Sequence, residues 1–164
     1  MSSITNANPG EVQAKRLETV YEQLEILLRQ TNLTQRLRSA PSTQDWSAMQ
    51  VIAHLAEMIP YWLHACDTLM AAIQPPNFGR SLEAPERLAG VEHGAAQTPD
   101  ALLSSLKREV LAAAQIIRRM SADQRSQKGI HIRNGEMTVA DIVEILIVAH
   151  AETHLAQVQL ALQS

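Results

Sequence analysis

The chain has 164 residues, 46% of them hydrophobic and 19% charged, which is the profile of a folded globular protein able to bury a core without covalent staples. A formal net charge of −3 argues against a nucleic-acid binder that works through a basic surface. Its single cysteine, Cys66, allows no intrachain disulfide and points to a reducing cytoplasm, and no apolar run is long enough to span a membrane.

The first ten residues are polar and lack the charged-then-apolar pattern of a signal peptide, and residues 1–8 read as a flexible N-terminal tail. Asn8-Pro9-Gly10-Glu11 is a helix start: a cap, a proline at the first position and an early acid. Leu17, Val20, Tyr21, Leu24, Leu27 and Leu28 then recur at helical spacing. They predict a first helix from residue 9 to about residue 30, with an extension to Arg38 left open. Ser39-Ala40-Pro41-Ser42-Thr43 breaks it.

Ser47-Ala48-Met49-Gln50 fits a capping box and opens a second helix that runs to about Ile73. Its apolar stripe is Val51, Met58, Trp62, Ala65 and Leu69, with His54 on the flank. Pro60 removes one backbone hydrogen bond and should bend this helix just beyond His54. Such a bend either wraps the core or opens space beside a site.

Residues 74–97 form a long connection of the kind that often covers a site, with a short helix near residues 85–89. Within it, Phe78-Gly79-Arg80 reads as a loop pinned by a buried Phe and carrying a solvated Arg. Thr98-Pro99-Asp100 starts a third long helix that ends near Met120. Ile130-His131-Ile132-Arg133 before Asn134-Gly135 is either a small β-hairpin or an extended loop. Thr138 and Asp141 cap the last helix, which runs to Leu162. Four long amphipathic helices make an all-α four-helix bundle, a single domain over residues 1–164. The long connections allow crossovers.

The histidines carry the chemistry. His150 and His154 lie about 40° apart on a helix. They share a face with Val139, Val143, Leu146, Ile147 and Ala161. His54 sits beside a second inward stripe. Three imidazoles with one open position suit Zn²⁺, and Ni²⁺ or Fe²⁺ as well. The plainer alternative is three hydrogen-bonded core histidines, and spacing leaves both open. A zincin motif fails, because Ala151 stands where its Glu would be and Glu152 points about 200° away from His150. Glu152 is then a solvent or interface residue. Two residues are catalytic candidates. Gln157 could hydrogen-bond a ligand or substrate, or end the helix half-buried. Glu57 could orient the His54 ring, act as a base, or be a surface carboxylate. His64, His93 and His131 have no partners at ligand spacing and read as surface residues; Cys66 reads as a small core residue. A second apolar strip on the last helix, Ile142, Ile145 and Val148, suggests a homodimer or a helix covered on both sides within one chain.

Residues 46–57 around His54, Phe78-Gly79-Arg80, and the stretch from Thr138-Val139-Ala140-Asp141 to His150-Ala151-Glu152-Thr153-His154-Leu155-Ala156-Gln157 together resemble the DinB-like superfamily. That superfamily includes DinB proteins, thiol-dependent S-transferases using bacillithiol or mycothiol, and mycothiol-dependent maleylpyruvate isomerase. The resemblance implies a four-helix bundle with a crossover topology, often dimeric. It also implies a divalent metal, commonly Zn or Ni, on His54, His150 and His154. It further implies a metal-dependent S-transferase in which a low-molecular-weight thiol attacks an electrophilic small molecule. Arg80 and the long loop would hold an anionic group of that substrate. A hydrolase of a small substrate and a non-catalytic, stress-related dimeric metal-binding protein are alternatives on the same scaffold. No residue names the thiol.

Overall fold

The computed structural model describes residues 8–30 and 36–163. Except for Asn8, the tail read over residues 1–8 lies outside them, as does the middle of the open extension toward Arg38. The first long helix, α1, is Pro9–Leu28, capped by Asn8, whose side chain accepts from the Gly10 N–H at 3.0 Å. A 3₁₀ turn at Arg36–Arg38 follows. Helix α2 is Ala48–Ala71, and its capping box is complete: Ser47 N–H donates to Gln50 Oε1 at 2.9 Å and Gln50 N–H donates to Ser47 Oγ at 3.2 Å. Pro60 sits inside α2 with its ring exposed. After strand β1, Asn77–Phe78, come α3 at Pro85–Ala95 and α4 at Pro99–Arg119. The short α5, Ala122–Arg125, leads into strands β2, Lys128–His131, and β3, Gly135–Thr138. The last helix covers residues 139–163.

The bundle consists of α1, α2, α4 and the last helix, each presenting an apolar face. Helix α4 turns Leu102, Leu103, Leu106, Val110, Ala113, Ala114 and Ile117 inward, and α1 contributes Ala14, Leu17, Tyr21 and Leu24. Both α1 and α2 pack against α4 and against the last helix. Around the ring the order is therefore α1, α4, α2, last helix. Helices α1 and α2, consecutive in the chain, stand diagonally, as do α4 and the last helix. The connections thus cross over.

Helix α3, longer than the expected 85–89, lies outside the ring against α2. Two glycines permit this approach: a Cβ on Gly90 would come within 2.6 Å of Glu57 Cγ, and one on Gly94 within 2.6 Å of Ala53 Cβ. The sheet has the order β1-β2-β3, with β1 parallel and β3 antiparallel to β2. The alternating piece is thus a hairpin, but its inward face is Gly129 and His131, while Ile130 and Ile132 face solvent. Gly129 fixes that register, since its missing Cβ would sit 2.9 Å from Leu69 on α2. His131, read as a surface residue, is 2% exposed.

The last helix is not α-helical throughout. Residues Ile142–Val148 form a π-helix, with the Ala149 N–H donating to the Glu144 carbonyl five residues back. The wider turn shifts the face that follows away from a uniform 100° wheel. Ile142 and Val148 from the proposed dimer strip are fully buried within the protomer, leaving only Ile145 at the surface. The strip is thus covered on both sides within one chain, the second of the two expectations, and gives no argument for a homodimer. Among the described residues, no helix is long and apolar enough to cross a membrane.

Candidate metal centre

Helix α2 and the last helix pack against each other, which brings His54, His150 and His154 together. One nitrogen from each ring lies within 4.8 Å of the others. His54 Nε2 is 3.4 Å from His150 Nε2, which is 2.8 Å from His154 Nε2. Nitrogens bound to one tetrahedral Zn²⁺ stand about 3.3 Å apart. The first separation matches that value; the second is a spacing at which one imidazole N–H donates to its neighbour's lone pair.

A hydrogen bond fixes the tautomer of one ring. His154 Nδ1 donates to Gln157 Oε1 at 2.8 Å, which leaves its Nε2 free of a proton. His54 Nδ1 has no hydrogen-bond partner and faces Glu57 Oε2, itself unpartnered, at 3.7 Å. Burial, reinforced by the positive charge that His154, His54 and Arg87 would bring, pushes the His150 pKa down to about 4. Burial also lowers His154, partly opposed by its bond to Gln157 and aided by His54 and Arg87. Neutral imidazoles are what a divalent cation needs; His154 offers its Nε2 lone pair, and an ion would take the place of the proton that His150 Nε2 shares with it, so the donor set fits such an ion.

Glu57 is no surface carboxylate. Its side chain is 14% exposed and ion-paired with Arg80, whose guanidinium lies 3.8 Å from the Tyr61 ring centre. Arg80, read as solvated, has a side chain only 10% exposed. A small cavity of about 80 Å³ opens beside the triad, lined by His54, His150, Trp62, Leu146, Ser81, Leu82, Arg80, Arg87 and Arg133. Gln157 and Glu57 are not among its lining residues; they stand behind the rings. The sequence reading missed Arg87, Arg133 and His131. Arg87 could have been found as the cation one turn before Gly90 on α3. Arg133 and His131 carried no local signal, because the strand register decides where they point.

Glu152, correctly placed away from the triad, pairs with Arg16 of α1. Arg16 also binds Glu144 at 2.9 Å, tying α1 to the π segment. A larger groove of about 510 Å³ runs along this side, lined by Val12, Arg16, Glu152 and Leu155 among others. It lies away from the three histidines, so the smaller cavity is the one next to the chemistry. His64 and His93 are exposed and Cys66 is buried, where loss of solvation raises its thiol pKa to about 12.

The sequence model of the DinB superfamily matches residues 16–158, and the chain belongs to that superfamily. Among solved structures it is similar to YfiT from Bacillus subtilis, described as a probable metal-dependent hydrolase with an unusual four-helix bundle topology. The TM-score is 0.78 at 16% identity, covering 99% of this chain and 90% of that one. It is also similar to mycothiol-dependent maleylpyruvate isomerase, with a TM-score of 0.71 at 13% identity, covering 96% of this chain and 63% of that one. A conserved protein from Enterococcus faecalis gives 0.67 at 17% identity, covering 93% and 94%. At these identities the likeness is one of fold. No curated protein sequence matches the chain.

Proposed function

We propose that this protein is a metal-dependent enzyme of the cytoplasm that holds one divalent ion, Zn²⁺ or Ni²⁺, on His54, His150 and His154. The reaction is transfer of a low-molecular-weight thiol to a small electrophile. The observation that carries this reading is the convergence of three imidazole nitrogens beside a cavity that reaches two of those rings. A bound ion supplies Lewis acidity, lowering the pKa of a thiol in its open position. The residues of the chain then do the rest. Gln157 keeps the Nδ1 proton of His154 outward and that ring aimed, while the Glu57 carboxylate stands 3.7 Å behind the His54 ring. Trp62 and Leu146 form the apolar part of the wall and limit access of water. The thiolate sulfur bonds to the electrophilic carbon, and the leaving group departs with its electron pair.

Hydrolysis of a small substrate is the second reading, supported by the fold shared with YfiT. Both predict chelator-sensitive turnover, and thiol dependence separates them. Metal-loaded protein assayed with a panel of thiols and chlorodinitrobenzene should form the thioether only when a thiol is present. Turnover of ester or amide substrates without thiol would replace the transferase with the hydrolase. Silence across both panels, with metal bound, would leave a metal-binding protein without catalysis.

A further inference from the structure

Three guanidiniums line the cavity beside His54 and His150, and one of them is neutralised. Arg80 is paired with Glu57. Among the described residues, Arg87 and Arg133 have no carboxylate within ion-pair distance.

Both are built into place. Arg87 precedes Gly90 by three residues and Gly94 by seven, so all three share one face of α3. The close seat of those glycines on α2 carries Arg87 to the cavity. There its Nη1 donates to the Leu82 carbonyl at 2.8 Å, and its guanidinium lies 5.2 Å from the Trp46 ring centre. Arg133 sits at the hairpin tip, an exposed residue at the mouth of the cavity. The tip is pinned from inside the protein: the Arg133 and Asn134 backbone N–H groups both donate to His131 Nδ1, each at 3.1 Å. His131 is in turn packed between Trp62, with ring centres 5.7 Å apart, and Phe78, at 5.2 Å. Gly79, at φ 106°, makes room, since a Cβ there would be 3.0 Å from the His131 ring. Burial lowers the Arg87 pKa; the carboxylates of Glu57 and Glu83 raise it, and the charges of Arg80 and Arg133 lower it, so these cations are within electrostatic reach of one another.

Like charges gathered around one cavity repel, and an anion bound between them relieves that repulsion. Resting on the metal centre proposed above for the reactive end, we infer that Arg87 and Arg133 form an anion-binding wall and that the cavity takes a small dicarboxylate. Two cations without a directly paired carboxylate match two negative charges, and planar guanidinium forks match carboxylate oxygens. The volume of about 80 Å³ admits a small acid, or the acidic end of a larger molecule. Drug-sized ligands occupy roughly 300–1,000 Å³. The role read for Arg80 passes to these two residues, because Glu57 already occupies Arg80.

The test is calorimetric titration of the metal-free protein with malonate, acetate and inorganic phosphate. The variants are Arg87→Met, Arg87→Lys and Arg133→Met, with Arg108→Met on exposed α4 surface as control and circular dichroism to verify folding. Malonate should bind more tightly than acetate or phosphate. Each Met variant should weaken it by roughly tenfold or more, as loss of a charged hydrogen bond does. Arg87→Lys should keep part of the affinity and Arg108→Met all of it. Phosphate or acetate binding as tightly as malonate would overturn the inference, as would wild-type malonate affinity in both Arg133→Met and a folded Arg87 variant. Zinc titration of the same proteins separates the two proposals. Zinc uptake without malonate binding overturns only the anion wall; malonate binding without zinc uptake overturns only the metal centre.

Discussion

Gln157 and Glu57 each stand behind one histidine, and their distances differ in a way that matters. Gln157 holds His154 through a 2.8 Å hydrogen bond, whereas Glu57 is 3.7 Å from His54 and shared with Arg80. Residues that orient a ligating ring typically contribute about 10–100-fold to metal affinity. Gln157→Leu is therefore expected to weaken zinc binding by about that factor in a competition titration, with helix content unchanged. Unaltered affinity would mean that Gln157 merely ends the helix. Both residues were legible in the sequence, because i+3 spacing on a helix places a side chain behind its neighbour whatever the tertiary fold. His131 was not. Its partners, Trp62, Phe78 and the hairpin backbone, come from three separate elements, and its burial follows from a strand register set by Gly129. A one-residue shift in that register would have turned it outward.

The helices α1, α2 and α4 begin where their caps announce them, since Asn8, Ser47 and Thr98 each satisfy a backbone donor that the first turn leaves free. Two element-level features were illegible. The π-helix at Ile142–Val148 has no local mark in an apolar run, so a uniform wheel misplaces Ile142 and Val148 on an outer strip. The ring order was also open, because connections of this length reach either an adjacent or a diagonal helix. The seat of α3 gives a direct prediction. Gly94→Ala places a Cβ 2.6 Å from Ala53 Cβ, a short group that cannot swing away. Overpacking of this kind costs about 1–3 kcal/mol, against at most about 1 kcal/mol gained in helix propensity. The variant should have a lower Tm than the wild type. Because Arg87 shares that face, malonate binding should weaken with it. An equal or higher Tm would show that α3 is not held against α2 at this point.

Taken as a whole, the molecule holds histidine rings away from solvent both where two bundle helices meet and under the hairpin, and this links its stability to pH. His150, His154 and His131 all have pKa values lowered by burial, His150 to about 4. In the unfolded chain a histidine takes up its proton near pH 6.5. Between pH 6.5 and about 4 the unfolded state therefore binds more protons than the folded one, and stability must decrease as pH falls. Metal-free protein should show a Tm that is steady above pH 7 and declines through that window. A Tm independent of pH from 7 to 4.5 would mean that the rings are charged in the fold. Bound zinc should raise the Tm at pH 7, because an ion held only by the folded chain stabilises it by mass action. The most direct measurement is metal content after zinc loading and gel filtration, for the wild type and for His54→Ala, His150→Ala and His154→Ala separately. The expected result is one zinc per wild-type chain and less than a stoichiometric amount in every variant that remains helical. One zinc per chain retained after loss of any one of the three histidines would contradict the triad.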